Sequence, residues 1–207
     1  MAITTYSELQ ASVANFLLRD DLTAEIKDFI SLAESQVNRD VRHYLMENRA
    51  TTTIDGRFAT RPSDWVETIR LHLTGSGTSE LHLISQADMA TRRQKADDTT
   101  GTPKFYAHSE TQFEVYPTPS GSFDAELLYM QKIPALSDAN TSNWLLSAAP
   151  DVYLYGALIH SAGFLGEDER ATVWASLYAA AVGKLNNESV SAKYSGVSLR
   201  SKIRGLG

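Results

Sequence analysis

Two histidines are the residues of this sequence best suited to chemistry. His72 and His82 each lie between leucines, in Leu71-His72-Leu73 and Leu81-His82-Leu83, and a polar segment separates the two triplets. Because neighbouring side chains of a strand point to opposite faces, the triplets predict a β-hairpin with both imidazoles on one face. Facing imidazoles can bind a metal ion, although no third ligand follows at a motif spacing. The alternative is that both histidines simply form the polar face of the hairpin.

The other polar clusters predict no reaction. Glu167-Asp168-Glu169 could form a carboxylate site, but acids at a helix start are what the positive end of the helix dipole favours. The sequence contains no cysteine, which excludes thiol nucleophiles, disulfides and cysteine-ligated zinc. It also lacks the motifs of phosphate-binding loops, serine hydrolases and zinc peptidases. We therefore expect no enzyme activity, no cofactor and no resident metal.

Residues 188–207 form a predicted flexible, basic tail. From Ser189 onward the tail has four basic residues and no acidic one; it contributes +4 to the net charge of −6, so residues 1–188 carry −10. An acidic body disfavours binding to a phosphate backbone. The tail is too poor in apolar residues to fold alone, so it either gains order on an acidic partner or stays solvated. The residues predicted to bind a partner are Lys193, Tyr194, Leu199, Arg200, Lys202, Ile203 and Arg204.

Apolar residues at helical spacing predict helices at both ends of the chain. Thr5-Tyr6-Ser7-Glu8 has the pattern of a capping box, and a second helix begins near Thr23 with a stripe that continues to Leu45. Pro150 suits the first turn of a third helix, which Gly166 can end, and a fourth follows. We predict a bundle of about four main helices from residues 1–46 and 137–187.

Residues 47–136 have the turn signals and residue types of a β-rich insertion. Asp55-Gly56 is a tight-turn signal between two extended runs, and the proline-rich segment 117–121 ends another. A short helix is predicted from about Gln86 to Lys95. The predicted fold class is α+β, a mainly α-helical bundle with a β-rich insertion and an extended C-terminal tail.

The sequence does not predict a membrane protein. Its first residues lack the basic and apolar regions of a signal peptide. The most apolar segment, residues 152–165, is too short to span a bilayer. We expect a soluble protein with no membrane partner.

A series of short motifs, in order along the chain, resembles a phage family. Each motif alone is packing or turn chemistry, and their order and spacing over nearly the whole chain give the resemblance. They are Thr5-Tyr6-Ser7-Glu8-Leu9, the helix from Ile26 to Arg39, Arg61-Pro62-Ser63-Asp64-Trp65, Gly101-Thr102-Pro103-Lys104-Phe105-Tyr106, Phe113 to Pro119, Tyr129 to Leu136, and Asn143 to Leu158. The chain resembles the head-to-tail adaptors of short-tailed, podovirus-type phages, also called connector or tail tubular A-like proteins.

The resemblance implies a structural role in the virion neck. Such adaptors form a ring, commonly of twelve copies, between the portal protein and the tail nozzle or tail fibre proteins, and they are assembled in the host cytoplasm. The ring continues the channel through which genomic DNA passes without specific binding, and the C-terminal tail reaches along the portal. The alternative from the residues alone is an accessory protein that binds nucleic acid through the basic tail or metal through His72 and His82.

Overall fold

The computed structural model describes residues 2–75, 79–95, 100–166 and 168–195. The chain divides into two compact units. One comprises Met1–Leu45 and Ile133–Gly207 and is called the helical unit. The other comprises Met46–Lys132 and is called the β unit. Among the described residues, 49% are helical and 25% lie in strands.

Two helices begin the helical unit. α1 (Tyr6–Leu17) opens with the predicted capping box, in which the Glu8 N–H donates to the Thr5 hydroxyl and the Thr5 N–H donates to the Glu8 carboxylate. α2 (Thr23–Asp40) buries the predicted apolar stripe as far as Val37. The prediction that this stripe continues helically to Leu45 is wrong. The chain turns extended at Val41 because the Arg42 N–H donates to the Asn186 side chain, 2.9 Å away, rather than to a carbonyl of α2.

Three further helices complete this unit. α4 (Trp144–Ala148) is a short helix capped by Asn143, and α5 (Pro150–Leu165) starts with proline and ends at Gly166 with a left-handed φ of 70°. α5 packs against both α2 and α6 (Asp168–Tyr194). Gly156 permits the close approach to α2, since a Cβ there would lie 3.0 Å from the Cβ of Ala33.

The β unit contains two four-stranded sheets and a two-stranded one. The first is antiparallel in the order β1 (Glu47–Ile54), β10 (Phe123–Gln131), β3 (Trp65–Leu73), β4 (Ser79–Glu80). The second has the order β2 (Phe58–Thr60), β8 (Gln112–Tyr116), β7 (Phe105–Ser109), β5 (His82–Leu83), and its β5–β7 pair is parallel. β6 (Thr100–Gly101) and β9 (Thr118–Pro119) pair in parallel, and α3 (Gln86–Lys95) packs on β7.

The apolar faces of the two larger sheets supply one buried cluster. It includes Ile54, Leu71 and Leu127 from the first sheet, together with Phe113 and Val115 from the second. Burial of such side chains contributes about 1.5–3 kcal/mol each relative to exposure, so this cluster gives the β unit a core of its own.

The fold class predicted from the sequence is wrong. The described residues form six α-helices and several multi-stranded sheets, and not a four-helix bundle with a small insertion. Periodicity detects long amphipathic helices but misses a five-residue helix such as α4. It also cannot show which strands pair, and here Glu47 of β1 lies opposite Met130 of β10.

Candidate functional site

The residues predicted to bind a partner divide between a helix and the undescribed end of the chain. Lys193 and Tyr194 lie in the last turn of α6, and both are exposed. Leu199, Arg200, Lys202, Ile203 and Arg204 lie outside the described residues. α6 is helical through Tyr194 and Ser189 is buried, so the described part of the predicted tail up to Tyr194 belongs to this helix.

α6 presents an exposed face without charge. No charged residue occurs between Arg170 and Lys184, a span of more than three helical turns. Trp174 and Tyr178 point into the unit, whereas Val173 is 58% exposed and Leu177 is 41% exposed. A surface helix normally carries polar residues on its outer side, and a helix that is apolar all round is usually buried. This part of α6 therefore exposes an uncharged face that includes Val173 and Leu177.

A groove runs beside this face, between α2, α5 and α6. Its volume is about 460 Å³, and its apolar lining includes Ile159, Ala175, Ala179 and Val182. Ala175, Ala179 and Gly183 follow at intervals of four residues, so they lie one above another and allow close approach to the α6 backbone. Nothing lies within 4 Å of the position that a Cβ at Gly183 would occupy.

One charged residue lines the groove, within the described part of the chain. The Asp40 carboxylate accepts a hydrogen bond from the Tyr178 hydroxyl at 3.0 Å, and both residues belong to the lining. Burial, followed by this contact with Asp40, raises the pKa of Tyr178 above its usual value. The phenol therefore stays protonated as a donor and orients the carboxylate.

The second half of α6 binds the segment that follows α2. Asn186 donates to the Asp40 carbonyl at 3.1 Å and accepts from the Arg42 N–H, so one amide side chain satisfies two backbone groups. The Tyr44 N–H donates to the Ser189 hydroxyl at 2.9 Å. This set of hydrogen bonds, which we call the α6 clamp, holds residues 40–44 against the helix that leads to the tail.

The predicted hairpin does not bring the two histidines together. His72 lies opposite Glu80 in β3–β4, whereas His82 lies opposite Phe105 in the other sheet, so the two imidazoles belong to different sheets. His72 is buried with its Nε2 3.8 Å from Glu126, and His82 is exposed. No group of three or more potential metal ligands occurs among the described residues. Pairing with β3 ends at Leu81, whose N–H donates to the Leu71 carbonyl, and the next residue, His82, pairs with β7 instead.

The acidic triplet at the start of α6 also forms no site in the described chain. Glu169 lies in the first turn of the helix and is exposed, and Glu167 lies outside the described residues. A carboxylate in the first turn interacts favourably with the free backbone N–H groups there.

Sequence reasoning missed one ionic cluster, in the β unit. The buried Glu114 carboxylate accepts hydrogen bonds from Arg57 at 2.9 Å and from Arg93 at 2.8 Å. Arg93 also donates to the Val115 carbonyl and the Thr118 hydroxyl. The alternation Phe113-Glu114-Val115 suggests an exposed Glu114, but α3 brings Arg93 over that face. These groups neutralise and position one another, which indicates a structural role.

The residues lining a cleft in the β unit include no group placed for acid–base catalysis. Its volume is about 280 Å³, and its lining is mostly apolar, including Ile54, Leu71, Phe113 and Leu127. Arg61 is the charged residue of the lining, and its guanidinium stacks 3.9 Å from the Trp65 ring centre. Catalysis by proton transfer needs a correctly placed acid or base, and none lines this cleft. No helix in the described ranges has the length and apolar character needed to cross a membrane.

Comparison with known protein families decides the identity of the chain. The sequence model described as SU10 adaptor protein matches residues 4–201, which is nearly the whole chain. The chain belongs to the SU10 adaptor protein family. The resemblance to phage adaptors is thereby confirmed. No curated protein matches the chain.

Membership of this family indicates the general role of the adaptor. The family consists of structural phage proteins and is not a known enzyme family, so the adaptor is a virion component that associates with other virion proteins. The match ends at residue 201. It therefore includes Lys193, Tyr194, Leu199 and Arg200 of the predicted partner-binding residues, whereas Lys202, Ile203 and Arg204 lie beyond it.

Proposed function

We propose that the adaptor forms a ring, of twelve copies, between the portal protein and the tail nozzle or fibre proteins. The carrying observation is the uncharged outer face of α6, with Val173 and Leu177 exposed. Contact between copies would remove this face from water at a gain of roughly 25 cal/mol per Å². A closed ring satisfies the same face on every copy without leaving a free end.

The tail supports docking on the portal. Lys193 and Tyr194 at the end of α6 are exposed, and the residues that follow add basic and apolar side chains without any acid. A segment of this composition binds best to a partner surface with acidic and apolar groups. Docking would bind Tyr194, Leu199 and Ile203 through apolar contacts, and the basic residues through ion pairs.

The charge distribution supports a passive DNA channel. Residues 1–188 carry a net charge of −10, and like charges repel the phosphate backbone. A ring wall of this sign would let the genome pass without retaining it. Salt-sensitive binding of duplex DNA in a gel-shift assay would contradict this part of the proposal and favour a nucleic-acid-binding protein.

Charge insertion on α6 tests the contact between copies. Leu177→Glu places a carboxylate on the uncharged face and should abolish ring formation on added portal, as seen by electron microscopy. Leu32→Glu is the matched control, because Leu32 is a 50% exposed leucine on α2. It should leave the ring intact. Equal ring formation by both variants would exclude the α6 face as the contact.

Truncation tests the docking of the tail. The cut should follow Ser195, because a cut before Ser189 would also remove the hydroxyl that binds the Tyr44 N–H. The truncated chain should keep its far-UV circular dichroism spectrum and lose portal binding in a pull-down. Portal binding at full strength would show that residues 196–207 are not needed for docking.

A further inference from the structure

The groove beside α6 is apolar, open and lined by one carboxylate. With Ile159, Ala175, Ala179 and Val182 on its walls, it exposes a surface that water solvates poorly. Its volume of about 460 Å³ lies within the range of roughly 300–1,000 Å³ typical of ligand clefts. The Tyr178 hydroxyl holds Asp40 in place, so an occupant with an apolar side chain beside a cation is favoured.

The chain itself contains a segment of this chemistry. Ser201-Lys202-Ile203-Arg204-Gly205 places one aliphatic residue between two cations, with small residues on either side. In an extended segment, alternate side chains point in opposite directions. Ile203 can then face the groove floor together with Ser201 and Gly205, while Lys202 and Arg204 reach outward to Asp40.

The length of the segment matches the distance it must cover. Ala179 and Gly183 precede Tyr194 by 15 and 11 residues, which is about 22 Å and 16 Å along a helix at 1.5 Å per residue. An extended chain covers about 3.3 Å per residue, so about five to seven residues run back over that distance. Two more residues for the reversal bring the chain to positions 201–203.

We propose that, in the unassembled adaptor, residues 201–205 fold back into the groove of their own chain. Ile203 contacts Ala179 and Gly183, and Lys202 and Arg204 pair with Asp40. In this arrangement Ile203 and the apolar lining of the groove shield each other from water. The shielding ends when the tail binds the portal. The proposal depends on the proposed function only for the partner that removes the segment.

Cysteine pairs test the contact directly, because the natural sequence contains no cysteine. The groove pair is Ala179→Cys with Ile203→Cys. The matched control pair is Ala180→Cys with Ile203→Cys, since Ala180 is the exposed neighbouring alanine, about 100° around the helix, and is not part of the groove lining. Disulfide formation is measured on non-reducing gels with dilute free protein and no portal.

The groove pair should close a disulfide within one chain about tenfold faster than the control pair. Adding Asp40→Asn to the groove pair should slow closure, while the amide oxygen still accepts from Tyr178. Equal rates for the two pairs would overturn the proposal, as would a disulfide that forms only between two chains. Because no portal is present, these outcomes do not depend on ring formation or docking.

The same protein tests the consequence for docking. The disulfide-closed groove pair should fail to bind portal, and reduction with dithiothreitol should restore binding to the level of the control pair. Full binding by the closed form would show that the groove does not compete with the portal for the tail. Failure of the reduced form and of the unaltered chain to bind would instead count against the proposed function.

Discussion

An ionic cluster in the β unit and a helix face in the helical unit differ in how their side chains are satisfied. The β unit buries a carboxylate, Glu114, and satisfies it internally with Arg57 and Arg93. The helical unit leaves Val173 and Leu177 exposed on α6, beside an apolar groove. The Glu114 carboxylate is thus satisfied within its own chain, whereas the α6 face leaves apolar side chains exposed to water.

We expect the ionic cluster to stabilise the fold, and we propose that the α6 face contacts another copy. Substitutions at the ionic cluster of the β unit should change stability and leave the proposed contact surfaces alone. Substitutions on the outer face of α6 should do the reverse, because exposed positions usually change stability by no more than about 0.5 kcal/mol.

The largest effect is expected at Glu114. Glu114→Ala removes the buried carboxylate that accepts from the Arg93 guanidinium, whose side chain is 10% exposed. Loss of one member of a buried pair costs about 3–5 kcal/mol, and we expect a decrease of this size in the free energy of unfolding, measured by urea denaturation.

The matched control for Glu114 is a more exposed carboxylate of the same unit. Glu126 accepts from Arg49 at 3.0 Å, but that arginine side chain is 64% exposed. Because water screens such a pair, Glu126→Ala should cost about 0.2–1 kcal/mol. Similar losses for the two variants would mean that the cluster around Glu114 is not a buried network.

A smaller effect is expected at the contact between α2 and α5 of the helical unit. Gly156→Ala adds a methyl group 3.0 Å from the Cβ of Ala33, and neither Cβ can move without its helix. Overpacking costs about 1–3 kcal/mol, against a gain of up to about 1 kcal/mol in helix propensity. We expect a net loss of about 1 kcal/mol, measured by urea denaturation.

Gly163 of the same helix provides the control. Nothing lies within 4 Å of a Cβ built there, so Gly163→Ala should stabilise the protein by about 0.5–1 kcal/mol through helix propensity alone. If Gly156→Ala is stabilising to the same degree, the two helices are less tightly packed than their geometry indicates.

The smallest effect is expected from acid titration. Burial lowers the pKa of His43 and of His160 in the helical unit, and that of His108 in the β unit. Near pH 6.5 and below, the unfolded chain therefore binds more protons at these residues than the folded chain does. Their contribution to stability is complete above about pH 6.5 and declines as the pH falls towards their lowered pKa values.

His43 allows the pH effect to be isolated. Its Nδ1 accepts the Leu45 N–H at 3.3 Å, its ring stacks on Trp144, and Glu188 and Lys193 act on it with opposite signs. His43→Phe keeps a stacked ring and removes the titration, so its urea midpoint should decrease less between pH 7.5 and 5.5 than that of the unaltered protein. The variant must be compared with the unaltered protein, because the raised pKa of Glu34 increases stability as the pH falls and partly offsets the histidine effect in both proteins. Parallel pH profiles would rule out His43 as a source of the effect.

Local signals in the sequence predicted the helix ends well. The capping box at Thr5 and the glycine stop at Gly166 are both observed, because each depends on hydrogen bonds or backbone freedom within one helical turn. The α2 stripe from Ile26 to Val37 was also predicted, since side chains three and four residues apart share a helix face.

Features that depend on distant residues were not predicted. Asn186 determines where α2 ends, because it binds the Arg42 N–H. Pairing with Phe105 places His82 in the second sheet, and Arg93 permits Glu114 to be buried. The groove could not be foreseen either, because its lining comes from three helices. Within α6, however, the span without charge between Arg170 and Lys184 is evident in the sequence, and it marks the face that we propose as the contact between copies.

The α6 clamp gives the adaptor a mechanical property. Asn186 and Ser189 lie within the last three turns of α6, so they would bear a tensile force applied to Tyr194 along the helix axis. The bonds to Asp40, Arg42 and Tyr44 would then be loaded together in shear, so they share the force rather than breaking one after another. A chain pulled by its tail would therefore pass the load to α2 before α6 is stripped from its neighbours.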